Sequence, residues 1–182
     1  MREMIFRGKS IGLKDAGCWV HGFYAQLNDG LRPDWLRHFI LTGKLHYNDY
    51  YGKEDICKSE IDPETLGQYT GRRDKRGTRV FEGDVVRVKV TENRMSGTHK
   101  YTEVYEVAYH TENCYFYLKR EKNNLLFDGN WSYFVTVEEV LGNIHDNPEL
   151  MEPKKICPAT KRACCECKPG GPCAEVEYDE NA

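Results

Sequence analysis

Long apolar runs are missing from this 182-residue sequence. Wholly apolar stretches are short, such as Phe39 to Leu41, and none approaches the roughly 20 residues that a membrane helix needs. The first ten residues also contain no apolar segment of signal-peptide length. We therefore expect a cytoplasmic protein that makes no contact with a membrane and whose eight cysteines are reduced.

Charge of one sign is not concentrated anywhere in the chain. Residues 1–70 hold 9 basic and 10 acidic side chains, residues 71–150 hold 12 and 13, and residues 151–182 hold 5 and 6, so each part carries a net charge of -1. A protein that binds nucleic acid regardless of sequence needs positive potential on one face. Composition does not supply that potential, and only the folded arrangement of the basic residues could create it.

Catalytic signatures are also absent from the sequence. The six histidines form no pair with metal-protease spacing. No glycine-rich phosphate loop, nucleophile elbow or paired-carboxylate pattern is present. We therefore predict that the protein is not an enzyme and needs no cofactor.

Short β-strands separated by turns are what the sequence contains instead. Val86, Val88 and Val90 alternate with Arg87 and Lys89, which is the period of a strand with one solvated face. The stretch "YTEVYEVAYHTENCYFYLKR" reads as two more strands around a "TEN" turn, and it is rich in aromatic and β-branched residues. Many short strands favour a mainly β fold, either a small barrel or a curled antiparallel sheet.

Shorter patterns predict the remaining elements. Residues 5–7 read as a strand that breaks at Gly8, and "CWVHGFY" reads as the next strand. The stretch "RPDWLRHFIL" fits either a helix or a strand.

Between the strands the sequence predicts a loop and helical turns. The polar, glycine-containing stretch "TGKLHYNDYYGKED" reads as a loop within an insertion at about 31–58. Asp62 and Pro63 predict a capped single turn. Thr136 with Glu139 has the capping-box spacing and predicts a second short helical turn.

Four stretches of the chain resemble the YopX family of bacteriophage and prophage proteins. They read "MREMIFRGKS", "GCWVHGFY", "IDPETLGQYTGRRDKRGTRVFEGDVVRV" and "VLGNIHDNPEL". The resemblance covers roughly residues 1–150, with a variable middle at about 31–58, and leaves residues 151–182 as a Cys-rich C-terminal tail. It implies an SH3-like small β-barrel of phage or prophage origin that acts in the bacterial host cell. It supplies no catalytic residue.

The loop "GRRDKRGTR" carries five basic residues between two predicted strands. Cations there could contact phosphates, with nearby aromatic rings as stacking surfaces, which would make the protein a nucleic-acid-binding module that uses residues 72–79. The other interpretation is a solvated hairpin whose charges keep a sheet edge soluble. We favour the hairpin, because phosphate binding requires a field and the whole chain is acidic. The basic residues are Arg72, Arg73, Lys75, Arg76 and Arg79.

The Cys-rich tail offers the one pattern suggestive of metal binding. Cys164 and Cys167 have the two-residue gap that lets both thiolates reach one Zn(II) ion, and Cys157 and Cys173 could complete four ligands. A second Cys-x-x-Cys pair at ribbon spacing is missing, and the stretch contains no histidine. The other interpretation is a flexible tail with reduced thiols, because the segment holds few core-forming residues.

The region from Tyr101 to Tyr117 has more aromatic residues than one face of a small barrel needs. Exposed tyrosines would favour a protein partner or self-association, whereas the same residues would also suit ordinary packing with hydroxyl groups at the rim. We therefore predict a non-enzymatic phage accessory protein that binds a protein partner and forms a homo-oligomer. The nucleic-acid-binding module is the alternative. The cluster comprises Tyr101, Tyr105, Tyr109, Tyr115, Phe116 and Tyr117.

Overall fold

The computed structural model describes residues 3–28, 36–48, 53–120, 124–127 and 133–152. These residues form eleven β-strands and two single-turn 3-10 helices, at Pro63–Thr65 and Pro148–Leu150. The strands are β1 Phe6–Lys9, β2 Trp19–Asn28, β3 Leu36–Asn48, β4 Lys53–Glu60, β5 Gly67–Arg73, β6 Arg79–Phe81, β7 Asp84–Arg94, β8 Gly97–His110, β9 Tyr115–Lys119, β10 Leu125–Leu126 and β11 Tyr133–Asn143.

The strands build two antiparallel sheets. The N-terminal sheet has the order β4-β3-β2-β1-β5-β6, and the C-terminal sheet has the order β10-β9-β8-β7-β11. The prediction of a mainly β fold is therefore confirmed. The barrel form of that prediction is wrong for the described residues, since their strands pair into two open sheets with separate edges. No helix among them has the length and apolar content that crossing a membrane requires.

The hydrophobic core lies on one face of the C-terminal sheet. Val86, Val88 and Val90 are fully buried, as their alternation predicted. Val86 lies opposite Tyr105 on β8, and Val80 of the N-terminal sheet packs into the same cluster. The core therefore includes side chains from both sheets.

The loop predicted for residues 42–55 is wrong for its described residues, 42–48 and 53–55. They belong to the antiparallel strands β3 and β4, which pair with an irregularity between Leu41 and Leu45, and residues 49–52 lie outside the described ranges. The stretch "RPDWLRHFIL" fits either a helix or a strand in the sequence. Its described residues, from Leu36 onward, form part of strand β3. The variability of residues 31–58 stays a prediction, as does the boundary at residue 150, because residues 153–182 lie outside the described ranges.

Two local predictions fail because long-range packing determines the backbone there. The strand predicted to break at Gly8 continues through it, and an added Cβ would lie 2.5 Å from Ile61 Cδ1, so glycine serves close packing. The capping-box turn at Thr136 and Glu139 does not form, since both residues pair with β7 inside β11. The turn at Asp62 is confirmed, because its carboxylate accepts a hydrogen bond from the Glu64 N–H.

Candidate functional site

The basic loop is the tip of the β5–β6 hairpin, and it is folded around one buried carboxylate. Asp74 Oδ1 accepts hydrogen bonds from the backbone N–H groups of Arg76 and Thr78, both at 2.8 Å. Asp74 Oδ2 accepts a third, at 3.2 Å, from Val140 N–H on β11. Burial acts to raise the pKa of Asp74, but the backbone N–H groups of Thr78, Val140 and Arg76 outweigh it and lower the pKa.

The hairpin tip lies against the edge strand β11 at an irregular place. The register of β11 on β7 shifts between Val137 and Glu139, so Glu138 is an extra residue in the strand. The Lys75 N–H donates to the Glu138 carbonyl oxygen at 3.4 Å. The hairpin therefore covers the backbone of a sheet edge that would otherwise be free to pair with another chain.

The cations of the hairpin lie close to acceptors within the protein. Lys75 Nζ is 2.6 Å from Glu138 Oε1, and Arg76 contacts Glu139 at 2.8 Å. Arg79 contacts Glu3 at 3.2 Å. Arg73 donates to the Gly77 carbonyl oxygen at 2.7 Å, and the Arg72 guanidinium lies 5.3 Å from the centre of the Phe127 ring. Carboxylates beside three of the five cations weaken the positive field that a phosphate grip requires.

A second cluster brings together residues from the first three stretches that resemble the YopX family. Arg7, from the first, contacts Asp84 of the third at 2.6 Å, with side chains 10% and 1% exposed. Arg7 also donates to the Glu82 carbonyl oxygen at 3.1 Å. Its guanidinium lies 4.6 Å from the ring centre of Trp19, from the second stretch, and 5.0 Å from that of Phe81. We refer to these five residues as the Arg7 cluster.

The fourth stretch closes one side of this cluster. Asp146 accepts hydrogen bonds from the Trp19 indole N–H and the Asn143 amide, both at 2.7 Å, and contacts Lys9. Hydrogen bonds from Lys9, Asn143 and Trp19 hold the pKa of Asp146 well below its usual range. His145 packs its ring against Trp19. The motif residues therefore contact one another across long sequence distances.

The geometry of the Arg7 cluster indicates a structural role. Asp84 uses Oδ1 for Arg7 and accepts the Phe81 N–H with Oδ2 at 2.7 Å, so both oxygens are engaged within the protein. Burial, followed by the charges of Arg7 and Arg79, lowers the pKa of His21 beside the cluster. The cluster joins the β6–β7 connection to β1 and β2, and nothing in its arrangement offers an activated nucleophile.

The Tyr-rich cluster divides between the two faces of the β8–β9 ribbon. Tyr105 is fully buried in the core, where its hydroxyl donates to Glu103 at 2.9 Å. The Tyr101 hydroxyl donates to Glu92, and burial together with that carboxylate raises the pKa of Tyr101 to about 12. Tyr109 packs on Phe116, with ring centres 5.1 Å apart. Ordinary packing therefore accounts for the tyrosines on the core face.

The opposite face of the ribbon carries an aromatic patch, which we call the outer patch and define as His110, Tyr115, Tyr117 and Leu126. His110 stacks on Tyr115 with ring centres 5.2 Å apart, and Tyr117 meets the His110 ring edge-on at 6.1 Å. Tyr115 and Leu126 are 37% and 40% exposed. These side chains line a hollow of about 330 Å³. The buried Nδ1 of His110 has no hydrogen-bond partner among the described residues.

The predicted metal ligands cannot be placed, because all four lie outside the described residues. Cys157, Cys164, Cys167 and Cys173 fall within residues 153–182. Within the described ranges, no group of three or more histidine, cysteine or acidic side chains could hold a metal ion. Zinc binding by these cysteines stays an untested alternative to a flexible tail with reduced thiols.

Sequence reasoning missed the central ion pair of the Arg7 cluster and the histidine of the outer patch. Arg7 and Asp84 lie 77 positions apart, and no local pattern signals such a pair. His110 lies in the stretch "YTEVYEVAYH", for which the sequence predicts a strand. Its alternation with Ala108 and Glu106 places it on the solvent face of β8, and its position opposite Tyr115 completes the outer patch.

Comparisons with known proteins give a family and similar solved structures. The family model described as "YopX protein" matches residues 35–152 of the chain. A solved structure, "Crystal structure of protein EF1440 from Enterococcus faecalis", is 23% identical and covers 84% of this chain and 100% of its own, with a TM-score of 0.43. A TM-score at that level supports no inference about fold or function. A search of curated proteins found no match.

Proposed function

This chain belongs to the YopX family, and from that premise we propose that it is a phage or prophage accessory protein that acts by binding another protein. It is not an enzyme in this proposal. It works in the cytoplasm of the bacterial host and requires no cofactor. An SH3-type strand arrangement within its sheets stays part of the proposal.

The observation that carries the proposal is the outer patch. Tyrosine side chains around a hollow are typical of the buried centre of a protein interface, because they bury a large area at a small cost in side-chain entropy. The His110 ring, stacked on Tyr115, adds a further planar surface to the hollow. A protein partner would thus gain burial of apolar and aromatic surface.

Self-association has separate support from the N-terminal sheet. Phe23 and Leu27 of β2 and Leu45 and Ile56 of β3 and β4 are large apolar side chains that stand exposed. Phe23 lies opposite Leu41, and Leu41 lies opposite Lys58. Ile56 is two residues before Lys58 on β4 and lies opposite Leu45, so the four exposed side chains share one face of the sheet. Contiguous exposed apolar groups favour association. We therefore include a homo-oligomer in the proposal.

Site-specific photo-crosslinking tests the partner. A benzoylphenylalanine side chain at Leu126 should give a discrete, nuclease-insensitive adduct in host cells that carry the phage. The matched control replaces Met95, which is fully exposed at the β7–β8 turn, and should give none. The same bands at both positions, or no band at Leu126, would contradict the proposal. Light scattering of the purified chain measures self-association separately.

Nucleic-acid binding by residues 72–79 stays the alternative, although the ion pairs of the hairpin argue against it. It predicts binding to a generic DNA or RNA 20-mer that weakens steeply as salt rises. It also predicts that Arg72→Gln, Arg73→Gln and Arg76→Gln together abolish that binding. Absence of binding at low salt would eliminate this alternative.

A further inference from the structure

One end of the C-terminal sheet carries a group of solvent-facing side chains that the proposed function does not use. On β7, Val86, Val88 and Val90 face the core, so the residues that alternate with them face solvent. The register of β8 and β11 on β7 places six such side chains in two neighbouring rows across three strands. The rows are Phe134, Thr91 and Lys100, and Thr136, Lys89 and Thr102, and we call these six residues the Lys89 face.

Phe134 supplies an aromatic ring to this face and is 60% exposed. Its neighbours in the sheet are Thr91, directly opposite on β7, and Thr136, two residues along β11. Threonine side chains are too small to cover a ring, and no second ring among the described residues packs on Phe134. The ring therefore offers a face on which a nucleobase can stack.

The cations of the Lys89 face differ from the other basic side chains on the strands of the C-terminal sheet. Both Lys89 and Lys100 are exposed, and neither forms an ion pair with a residue that the structure describes. The remaining three each contact a carboxylate: Arg87 contacts Glu139, Arg94 contacts Glu92 and Lys119 contacts Glu106. The two lysines without such a contact are thus the ones beside the exposed ring.

Acidic side chains on the same side of the sheet lie further along the strands. Glu139 is opposite Arg87 and Glu106 is opposite Val85, and each of these carboxylates already contacts a cation. The register therefore produces a local excess of positive charge at one end of the sheet, although the chain as a whole carries a net charge of -3. Such an excess attracts a polyanion to this face.

We propose that the Lys89 face binds single-stranded nucleic acid. A base stacks on Phe134, Lys89 and Lys100 contact phosphates, and the threonine hydroxyls donate to phosphate oxygens. A single strand fits better than a duplex, because the bases of a duplex are already stacked on each other. The ring beside the lysines also favours a nucleic acid over an acidic peptide, whose carboxylates would leave the ring without a partner. This site shares no residue with the outer patch, so it does not rest on the proposed function.

Fluorescence anisotropy of a labelled oligothymidine 20-mer tests this on the full-length chain between 50 and 200 mM NaCl. Each phosphate contact to a single strand adds about -0.7 to the slope of log K against log salt. Lys89→Gln with Lys100→Gln should therefore make the slope shallower by about 1.4. Phe134→Ala should weaken binding about tenfold at every salt concentration without changing the slope. The control Arg94→Gln removes a cation from the other side of the same hairpin and should leave the affinity within about twofold.

Absence of binding at 50 mM NaCl would overturn the proposal. A blunt-ended duplex that binds as tightly as the single strand would overturn it too, and so would displacement of the strand by an equal concentration of polyglutamate. Each variant must keep the native thermal transition, which surface substitutions should allow. If Arg72→Gln, Arg73→Gln and Arg76→Gln abolish binding while the lysine variant leaves the slope unchanged, the β5–β6 hairpin binds the strand and the Lys89 face does not.

Discussion

The Arg7 cluster and the β5–β6 hairpin both use arginine in sequence stretches that resemble the same family, but they place it in opposite environments. The side chain of Arg7 is 10% exposed and is enclosed by Trp19, Phe81 and Asp84. The side chains of Lys75 and Arg76 are 56% and 74% exposed and reach carboxylates across the surface. The chain therefore contains the same type of ion pair both in a solvent-excluded site and at the solvent-exposed surface.

The difference shows that charge density in a sequence does not locate the important charges. The hairpin is the most basic stretch of the chain, yet solvent screens its ion pairs, and such pairs contribute little to stability. Arg7 is one cation in an unremarkable segment, but removing it would leave a buried carboxylate without its counter-charge. We therefore expect the Arg7 cluster to contribute more to stability than the hairpin, although the hairpin is the more basic region.

Removing the Arg7 charge should have the largest effect. Arg7→Met keeps much of the aliphatic stem and leaves Asp84 buried and uncompensated, so we expect a loss of about 3–5 kcal/mol in the free energy of unfolding. Urea denaturation followed by tryptophan fluorescence measures it, since Trp19 lies against the guanidinium.

The control for this prediction removes both charges. Arg7→Met combined with Asp84→Asn retains an acceptor for the Phe81 N–H and should recover more than half of the lost free energy. If the double variant is as unstable as Arg7→Met alone, then packing against the rings, rather than the buried charge, accounts for the role of Arg7.

Asp74 should have the next largest effect, because it is the one strongly buried charge in the hairpin tip. Asp74→Ala leaves the N–H groups of Arg76, Thr78 and Val140 without their acceptor, and we expect a loss of about 2–4 kcal/mol. Asp74→Asn keeps one acceptor oxygen and should lose about half as much. Hydrogen exchange at the Lys75 amide, which donates to the Glu138 carbonyl oxygen and not to Asp74, should be faster in Asp74→Ala because the hairpin leaves β11. Unchanged exchange at that amide would contradict this account.

The sequence predicted best where one strand face meets the core. The alternation of Val86, Val88 and Val90 predicts β7, because every second side chain of that stretch is buried in the core. The stretch that forms β3 and β4 gave no such signal, since Leu45 and Ile56 remain exposed and polar residues surround them. Strands with little buried area carry little periodicity, and pairing rather than composition determines them.

Contacts between distant stretches were beyond the reach of local patterns. Thr136 and Glu139 have the spacing of a helix start, but pairing with β7 prevails over that preference. Arg7 and Asp84 come together because β1 pairs with β5 and β5 pairs with β6, which leads directly into β7. The outer patch likewise depends on His110 lying opposite Tyr115. The sequence shows which residue types are present, but which of them contact one another depends on the register of the sheets.

The smallest effect should come from neutralising the exposed cations of the hairpin tip. Lys75→Gln and Arg76→Gln together remove both contacts to Glu138 and Glu139, but Asp74 and the backbone hydrogen bonds to β11 remain. We expect a loss below about 1 kcal/mol in urea denaturation, and less still in 1 M NaCl, where exposed charges are screened. A loss above about 2 kcal/mol would mean that the ion pairs themselves hold the hairpin on the sheet edge. The exposed ion pairs of the hairpin and the buried Arg7–Asp84 pair would then contribute similarly to the free energy of unfolding. Burial would no longer distinguish the two regions.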